Sequence, residues 1–231
     1  MSIIYMANLT LYTSLVTSVI IQIITGIIEI NALFVNVLPK FAFLKQLILL
    51  EVLVQGIEGA FYAHWLYNFT EIVNITPKRY LDWAITTPTM LVTLIFYLIF
   101  LHHKDNNIST DLDFFDLFKQ EFYIIITILL LNWLMLLFGY LGEANIIPVL
   151  LGVSLGFIPF LIYYYIIYIK YATLSNDGFN LFLYFFIVWS LYGIVAVLPY
   201  KLKNTCYNFL DLFAKNFFGI FLSYLIFANQ S

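Results

Sequence analysis

"RYLDWAITTPTMLVTLIFYLIF" (Arg79–Phe100) opens with an arginine and an aspartate three residues apart, then runs almost wholly apolar. An α-helix needs about 20 apolar residues to cross a bilayer. Ionisable side chains in hydrocarbon are costly and turn toward a bundle interior, a partner charge or water. Arg79 and Asp82 at the mouth of such a helix therefore predict other charges for them to meet.

Composition agrees with a membrane location. Of the 231 residues, 63% are hydrophobic, 20% aromatic and only 10% charged, whereas soluble domains carry roughly 25% charged residues. No soluble fold of this length hides so much apolar surface, so the lipid bilayer is the chain's solvent. The net charge of −3 comes with no basic block, which gives no signal for nucleic acid. One cysteine, Cys206, excludes an internal disulfide and a cysteine-based metal cluster. The beginning of the chain shows neither a positive leader nor a small-residue cleavage site, so its first apolar stretch is read as a retained helix.

Seven stretches are long enough to span: Leu9–Phe34, Phe41–Trp65, Arg79–Leu101, Phe122–Tyr140, Ile146–Tyr171, Phe179–Leu198 and Thr205–Phe227. The breaks between them carry loop chemistry, as in "NVLPK", "YNFTEIVNITPK", "GEAN", "SNDG" and "PYKLKN". Only helices and closed barrels satisfy their backbone in lipid, and stretches this long are helices. The predicted fold is an all-α membrane protein, a seven-transmembrane helix bundle forming one domain over residues 1–231. Lys40, Lys45, Lys104, Lys119 and Lys170 flank one side, and Lys78, Arg79, Lys201 and Lys203 the other. That bias puts the N-terminus outside and the C-terminus in the cytoplasm. Sequons at Asn8, Asn68 and Asn74 fall outside as well, and one at Asn107 does not. In the longest loop, "STDLDFFDLFKQ" interleaves Phe114, Phe115, Leu117 and Phe118 with Asp113, Asp116 and Lys119, which predicts a short interfacial helix.

The span charges that need a reason are Glu29, Glu51, Glu58, Asp82, Asp211 and Lys215, with Arg79 and Lys203 near the outer ends. Asp211 and Lys215 are four apart, one turn along the same face. A single pair of this kind can be a buried ion pair that fixes helix packing. A second acid on another span, beside an arginine, points instead to a site. A buried lysine tends to release its proton, and the free amine condenses with an aldehyde. The protonated Schiff base so formed needs carboxylate counterions, and Asp82 and Asp211 are available.

Here the chain resembles the microbial (type 1) rhodopsins. "RYLDWAITTP" is similar to their R-Y-x-D-W-x-x-T-T-P counterion helix, and "DLFAK" to the D-x-x-x-K of their retinal-lysine helix. "WSLYG" resembles the W-x-x-Y along the polyene, and "MLLFG" the M-x-x-x-G around the ionone ring. The resemblance implies a photoreceptor, not an enzyme, with all-trans retinal on Lys215, Asp82 as primary counterion and proton acceptor, and Asp211 as second counterion. It implies that Trp83, Thr87, Trp189 and Tyr192 line the polyene, that Met135 and Gly139 flank the ring, and that Thr86 hydrogen-bonds Asp82. Where the family usually has a second tryptophan on the sixth helix, this chain has Ala196. Part of the pocket wall must therefore come from elsewhere, such as phenylalanines.

Fold does not settle function. Asp82 argues against a chloride pump, which the resemblance implies needs a neutral residue there to leave room for an anion. The usual place of an inner proton donor, eleven residues after the counterion, is Thr93, which favours a channel or sensor over a fast pump. Glu51, Gln55 and Glu58 follow one face of the second span. They either bond to neighbouring helices or, with Asn208 and Lys203, line a hydrated route for cations. This arrangement is similar to the first group of viral rhodopsins of giant algal viruses, which implies a light-gated channel for monovalent cations. The ion-pathway residues implied are Glu51, Glu58, Lys203, Asn208 and Asn216, with Arg79, Thr86 and the weaker Ser18. The resemblance also implies a membrane of the infected host cell, protons among the transported ions, and room for a homo-oligomer. The competing readings are a weak outward proton pump and a phototactic sensor. Glu29 is read as interfacial, and His102 and His103 as solvated residues at the membrane edge.

Overall fold

The computed structural model describes residues 3–70 and 74–230, with side chains from residue 9 onward; Asn8 and part of the loop before Ile75 lie outside them. The described chain is helical nearly throughout. Helices α1 (Ile3–Phe34), α2 (Ala42–Tyr67) and α3 (Thr76–Asp105) are followed by the short α4 (Phe114–Gln120). Then come α5 (Phe122–Glu143), α6 (Val149–Lys170) and α7 (Asn176–Ala196). The seventh span is one rod built from α8 (Tyr200–Asp211), a π-turn over Leu212–Asn216 and α9 (Phe217–Ala228).

Among the described residues, six spans are long and apolar enough to cross a membrane. The seventh is α2, whose 26 residues reach about 39 Å at 1.5 Å per residue. Its polar residues Glu51, Gln55 and Glu58 all point into the bundle, 1%, 6% and 0% exposed. On α1, Ile20, Ile23, Ile24, Ile27 and Ile30 are exposed while Ser18, Gln22, Thr25 and Glu29 are buried. That is the inverse of a soluble helix, with oil outward and polar groups inward.

Two boundaries differ from the sequence reading. The third span begins at Thr76, where Pro77 supplies the fixed φ suited to a first turn. "PYKLKN" is not a loop, because the helix starts at Tyr200 after Pro199. Its polar residues Lys203 and Asn204 are 7% and 0% exposed and meet partners inside the bundle, so their polarity does not report solvent. Glu29, expected at the interface, is 1% exposed. The loop helix does form: Asp113 caps it by accepting from the N–H groups of Phe115 and Asp116, and Leu117 packs inward.

Helices α5 and α6 approach closely because glycine lines their contact. A Cβ on Gly152 would lie 2.7 Å from the Phe138 carbonyl, and one on Gly156 3.3 Å from that of Met135. This is the small-xxx-small device of membrane helices, which have no hydrophobic drive to pack against each other in lipid. Ser175 caps α7 by accepting from Gly178 N–H and donates to Asp105 at 2.6 Å, tying the end of α3 to the start of α7.

Candidate functional site

Lys215 sits in the π-turn of the seventh span, a helix defect that frequently marks functional positions. The wider turn disturbs the regular backbone ladder, and Tyr184 donates to the Phe213 carbonyl at 2.7 Å. The Lys215 ammonium is 2.9 Å from Asp82, 3.6 Å from Glu58 and 3.9 Å from Asp211. Sequence reasoning expected the two aspartates at the lysine; Glu58, assigned to an ion route, completes a triad of acids. At an effective dielectric of about 20, Coulomb's law gives Asp82 roughly 6 kcal/mol of attraction and the other two roughly 4 to 5. Asp82 therefore leads before any sharing is counted.

Sharing widens that lead. Asp211 accepts from Tyr62 at 2.5 Å, Tyr192 at 2.7 Å and Arg79 at 3.3 Å. Arg79 is fully buried and also donates to the Tyr62 hydroxyl, to Asn204 and, through a short bond, to Asn208. Its guanidinium lies over the rings of Tyr62, Trp65 and Tyr207, 4.8–5.7 Å from their centroids. The arginine thus pairs with Asp211 rather than with Asp82 on its own helix. Asp82 keeps one oxygen without a hydrogen-bond partner. Thr86 does bond Asp82, but through the backbone carbonyl at 3.0 Å and not through the carboxylate. Two cations and three acids balance with one further positive charge, a proton or a bound cation.

From Lys215 an apolar cavity runs between the helices. Trp83, Thr87, Met135, Gly139, Trp189 and Tyr192 all line it. Gly139 makes room for Tyr80, since a Cβ there would come within 2.7 Å of its hydroxyl. Opposite the small Ala196, the wall comes from Phe157 and Phe160 of α6. Phe157 passes directly over Gly193, whose Cβ would lie 2.6 Å from the ring. Asn132 of α5 donates to Thr87 at 2.8 Å, a partner that no motif singles out.

The remaining route residues separate into two groups. Ser18 donates to the Asn208 backbone carbonyl at 3.3 Å, Asn208 donates to Ser14 at 2.9 Å, and Asn216 donates to Gln55 at 3.0 Å. These place α1, α2 and the seventh span along one polar seam that also holds Glu51 and Glu58. Lys203 stands apart, ion-paired at 2.6 Å with Glu143 at the end of α5. Glu143 was missed because "GEAN" reads as a loop. Tyr62 and Asn204 were missed too, although periodicity could have found them: Tyr62 continues the Glu51–Gln55–Glu58 face, and Asn204 lies one turn before Asn208.

An amine among carboxylates at the end of an apolar cavity, inside seven membrane-spanning helices, defines a class of membrane-embedded chromophore proteins. The family pattern of the bacteriorhodopsin-like proteins matches residues 10–229, and the chain belongs to that family. Its members, the microbial rhodopsins, bind retinal. The crystal structure of viral rhodopsin OLPVRII matches with a TM-score of 0.80 at 27% identity, covering 96% of this chain and 99% of that one. Xanthorhodopsin, a light-driven ion pump with dual chromophore, matches at 0.74 and 19% identity over 97% of this chain and 95% of that one. Bromide-bound halorhodopsin from Halobacterium salinarum matches at 0.73 and 16% identity over 99% and 98%. The last two show the fold alone. No curated protein matches the chain.

Proposed function

We propose that this protein is a retinal photoreceptor that opens a passive path for monovalent cations in light. The residues fit the chromophore: a tunnel lined by aromatic and small side chains ends on a buried lysine with acids at 2.9–3.9 Å. Retinal, joined to the Lys215 nitrogen with loss of water, supplies isomerisation on absorbing light. Asp82 faces that nitrogen and takes its proton. Asp211, held by Arg79, Tyr62 and Tyr192, keeps the outer side of the site ordered while Asp82 changes charge. The N-terminus lies outside and the C-terminus in the cytoplasm.

The observation that carries the channel reading is the polar seam. Buried Ser18, Gln55, Glu51, Glu58, Asn208 and Asn216 run between α1, α2 and the seventh span, and it meets Lys215 through Glu58. A charge change at Lys215 is therefore felt by the seam itself. Relaxing a few charge-assisted hydrogen bonds, each worth about 1.5–3 kcal/mol, is enough to move a gate by several kcal/mol. A weak outward proton pump is the second reading, favoured because Glu51 reaches Thr93 on α3. An acid from α2 thus stands at the level where α3 carries none.

Whole-cell recording in light, with sodium on one side replaced by a large organic cation, separates the two readings. A channel shifts its reversal potential with the replacement; a current that stays outward at every voltage and ignores it leaves the pump. Glu58→Gln is expected to lower the current several-fold or change its selectivity while pigment still forms. Wild-type currents in that variant would remove Glu58 from the route. Asp82→Asn is expected to shift absorption to the red. Excitation moves positive charge away from the Lys215 nitrogen, so a nearby anion stabilises the ground state more than the excited one. An unchanged spectrum would pass the counterion role to Glu58 and Asp211, at 3.6 and 3.9 Å.

A further inference from the structure

Beyond Asn216 the seam continues into a second cluster of buried polar side chains, on the far side of Lys215 from Arg79. Gln22, Thr25 and Glu29 follow one face of α1, and Asn216, Gly219 and Ser223 one face of the seventh span. The glycine matters here: a Cβ on Gly219 would run into the Glu29 carboxylate. Glycine at this position thus admits the acid between helices. The Gln55 side chain packs at Gly26, Gln22 approaches Gly59, and Glu51 is the charged neighbour that faces Glu29.

Several polar atoms of this cluster lack partners, the amide nitrogens of Gln22 and Gln55 among them. Oxygens of Gln22, Thr25, Glu29, Glu51, Asn216 and Ser223 are all buried without a hydrogen bond. Those of Gln22 and Asn216 can only accept, and the carboxylates of Glu29 and Glu51 only accept when ionised. Leaving such groups buried and unpaired costs about 1–3 kcal/mol each. No described ion pair involves Glu29 or Glu51, although both are 1% exposed. Unpaired oxygens outnumber the unpaired amide nitrogens here, and buried oxygens in excess are what a hard, dehydrated cation requires.

We propose that Glu29 and Glu51, with Thr25, Gln22 and Ser223, form an inner binding site for one monovalent cation. One ionised acid with the neutral oxygens balances a single positive charge, and the second acid gives the ion a neighbouring place to move to, which conduction demands. As a permeation site this rests on the channel reading, and as a binding site it does not.

Two measurements test it. The first is the bleaching half-time of solubilised pigment at fixed temperature in the dark, in sodium chloride against choline chloride. Sodium is expected to lengthen it several-fold in the wild type and to lose that effect in Glu29→Gln. Gly219→Ala, whose methyl displaces the acid, should behave like Glu29→Gln, and pigment formation reports that each variant folds. The second is the sodium-to-potassium reversal shift in light, expected to differ from wild type in both variants. Sodium protection that persists in both variants, or that the wild type lacks, overturns the site. Protection lost in the variants while the wild type carries no passive current keeps the site and overturns only the channel. Passive currents of unchanged selectivity in both variants overturn its role in permeation.

Discussion

Lys215→Ala is expected to give no visible absorption band when the apoprotein is mixed with retinal, where the wild type is expected to form a coloured pigment. The expectation rests on position. Among the lysines, Lys215 is buried in the middle of its span, 3% exposed, at the end of the apolar cavity. Lys203, the other buried lysine, is engaged with Glu143 at 2.6 Å. The loss should therefore be complete, not graded. Alanine also removes the cation that Asp82, Glu58 and Asp211 share, which leaves three buried acids with Arg79 alone. Breaking a buried pair by deleting one partner typically costs about 3–5 kcal/mol, so a folding control is needed. Lys215→Arg keeps the positive charge but offers no amine for condensation, so it should fold and remain colourless. Residual pigment bleached by hydroxylamine in either variant would mean that a different lysine carries the chromophore.

How much of this was legible in the sequence follows from what each signal measures. Apolar length located the spans because hydrocarbon thickness is a fixed ruler, and it failed where polarity was turned inward. "PYKLKN" reads as a loop, yet Lys203 and Asn204 are spent on Glu143, Arg79 and Thr76. Glu29 reads as interfacial because one acid near a span end usually is; only the packing of Gly219 against it shows otherwise. Motif residues came out together at the tunnel and around Lys215, since their spacing already encodes a helix face. What spacing cannot encode is which helix a face meets. Arg79 is one turn from Asp82 on its own helix, yet it crosses to Asp211. Glu58 was visible as a polar residue on α2, but its approach to Lys215 depends on how α2 is rotated against the seventh span. Phe157 as a substitute for the missing tryptophan needed Gly193 on a different helix to let the ring through.

Arg79→Leu is expected to destabilise the protein by about 3–5 kcal/mol, the range for removing one partner of a buried charge pair. The bonding around it supports the upper half of that range. Arg79 donates to Tyr62, Asp211, Asn204 and Asn208 and covers three aromatic faces. Leucine fills part of the volume and satisfies none of those acceptors. The measurable signature is a double-mutant cycle with Asp211→Asn, followed by thermal bleaching of the pigment. Asp211→Asn alone leaves Arg79 without its carboxylate and should also destabilise. Together the two changes remove both charges, so the pair should lose less than the sum of the singles, by roughly 1–3 kcal/mol. Additive effects would mean that Arg79 acts on Asp211 only through packing. In that case Lys215, at 3.9 Å, would be the cation that holds Asp211 ionised. Asp211 would then belong to the chromophore's counterions first and to the outer cluster second. Asp82→Asn, paired with Arg79→Leu, gives the comparison: with no direct bond between them, that pair should be closer to additive than Arg79 with Asp211.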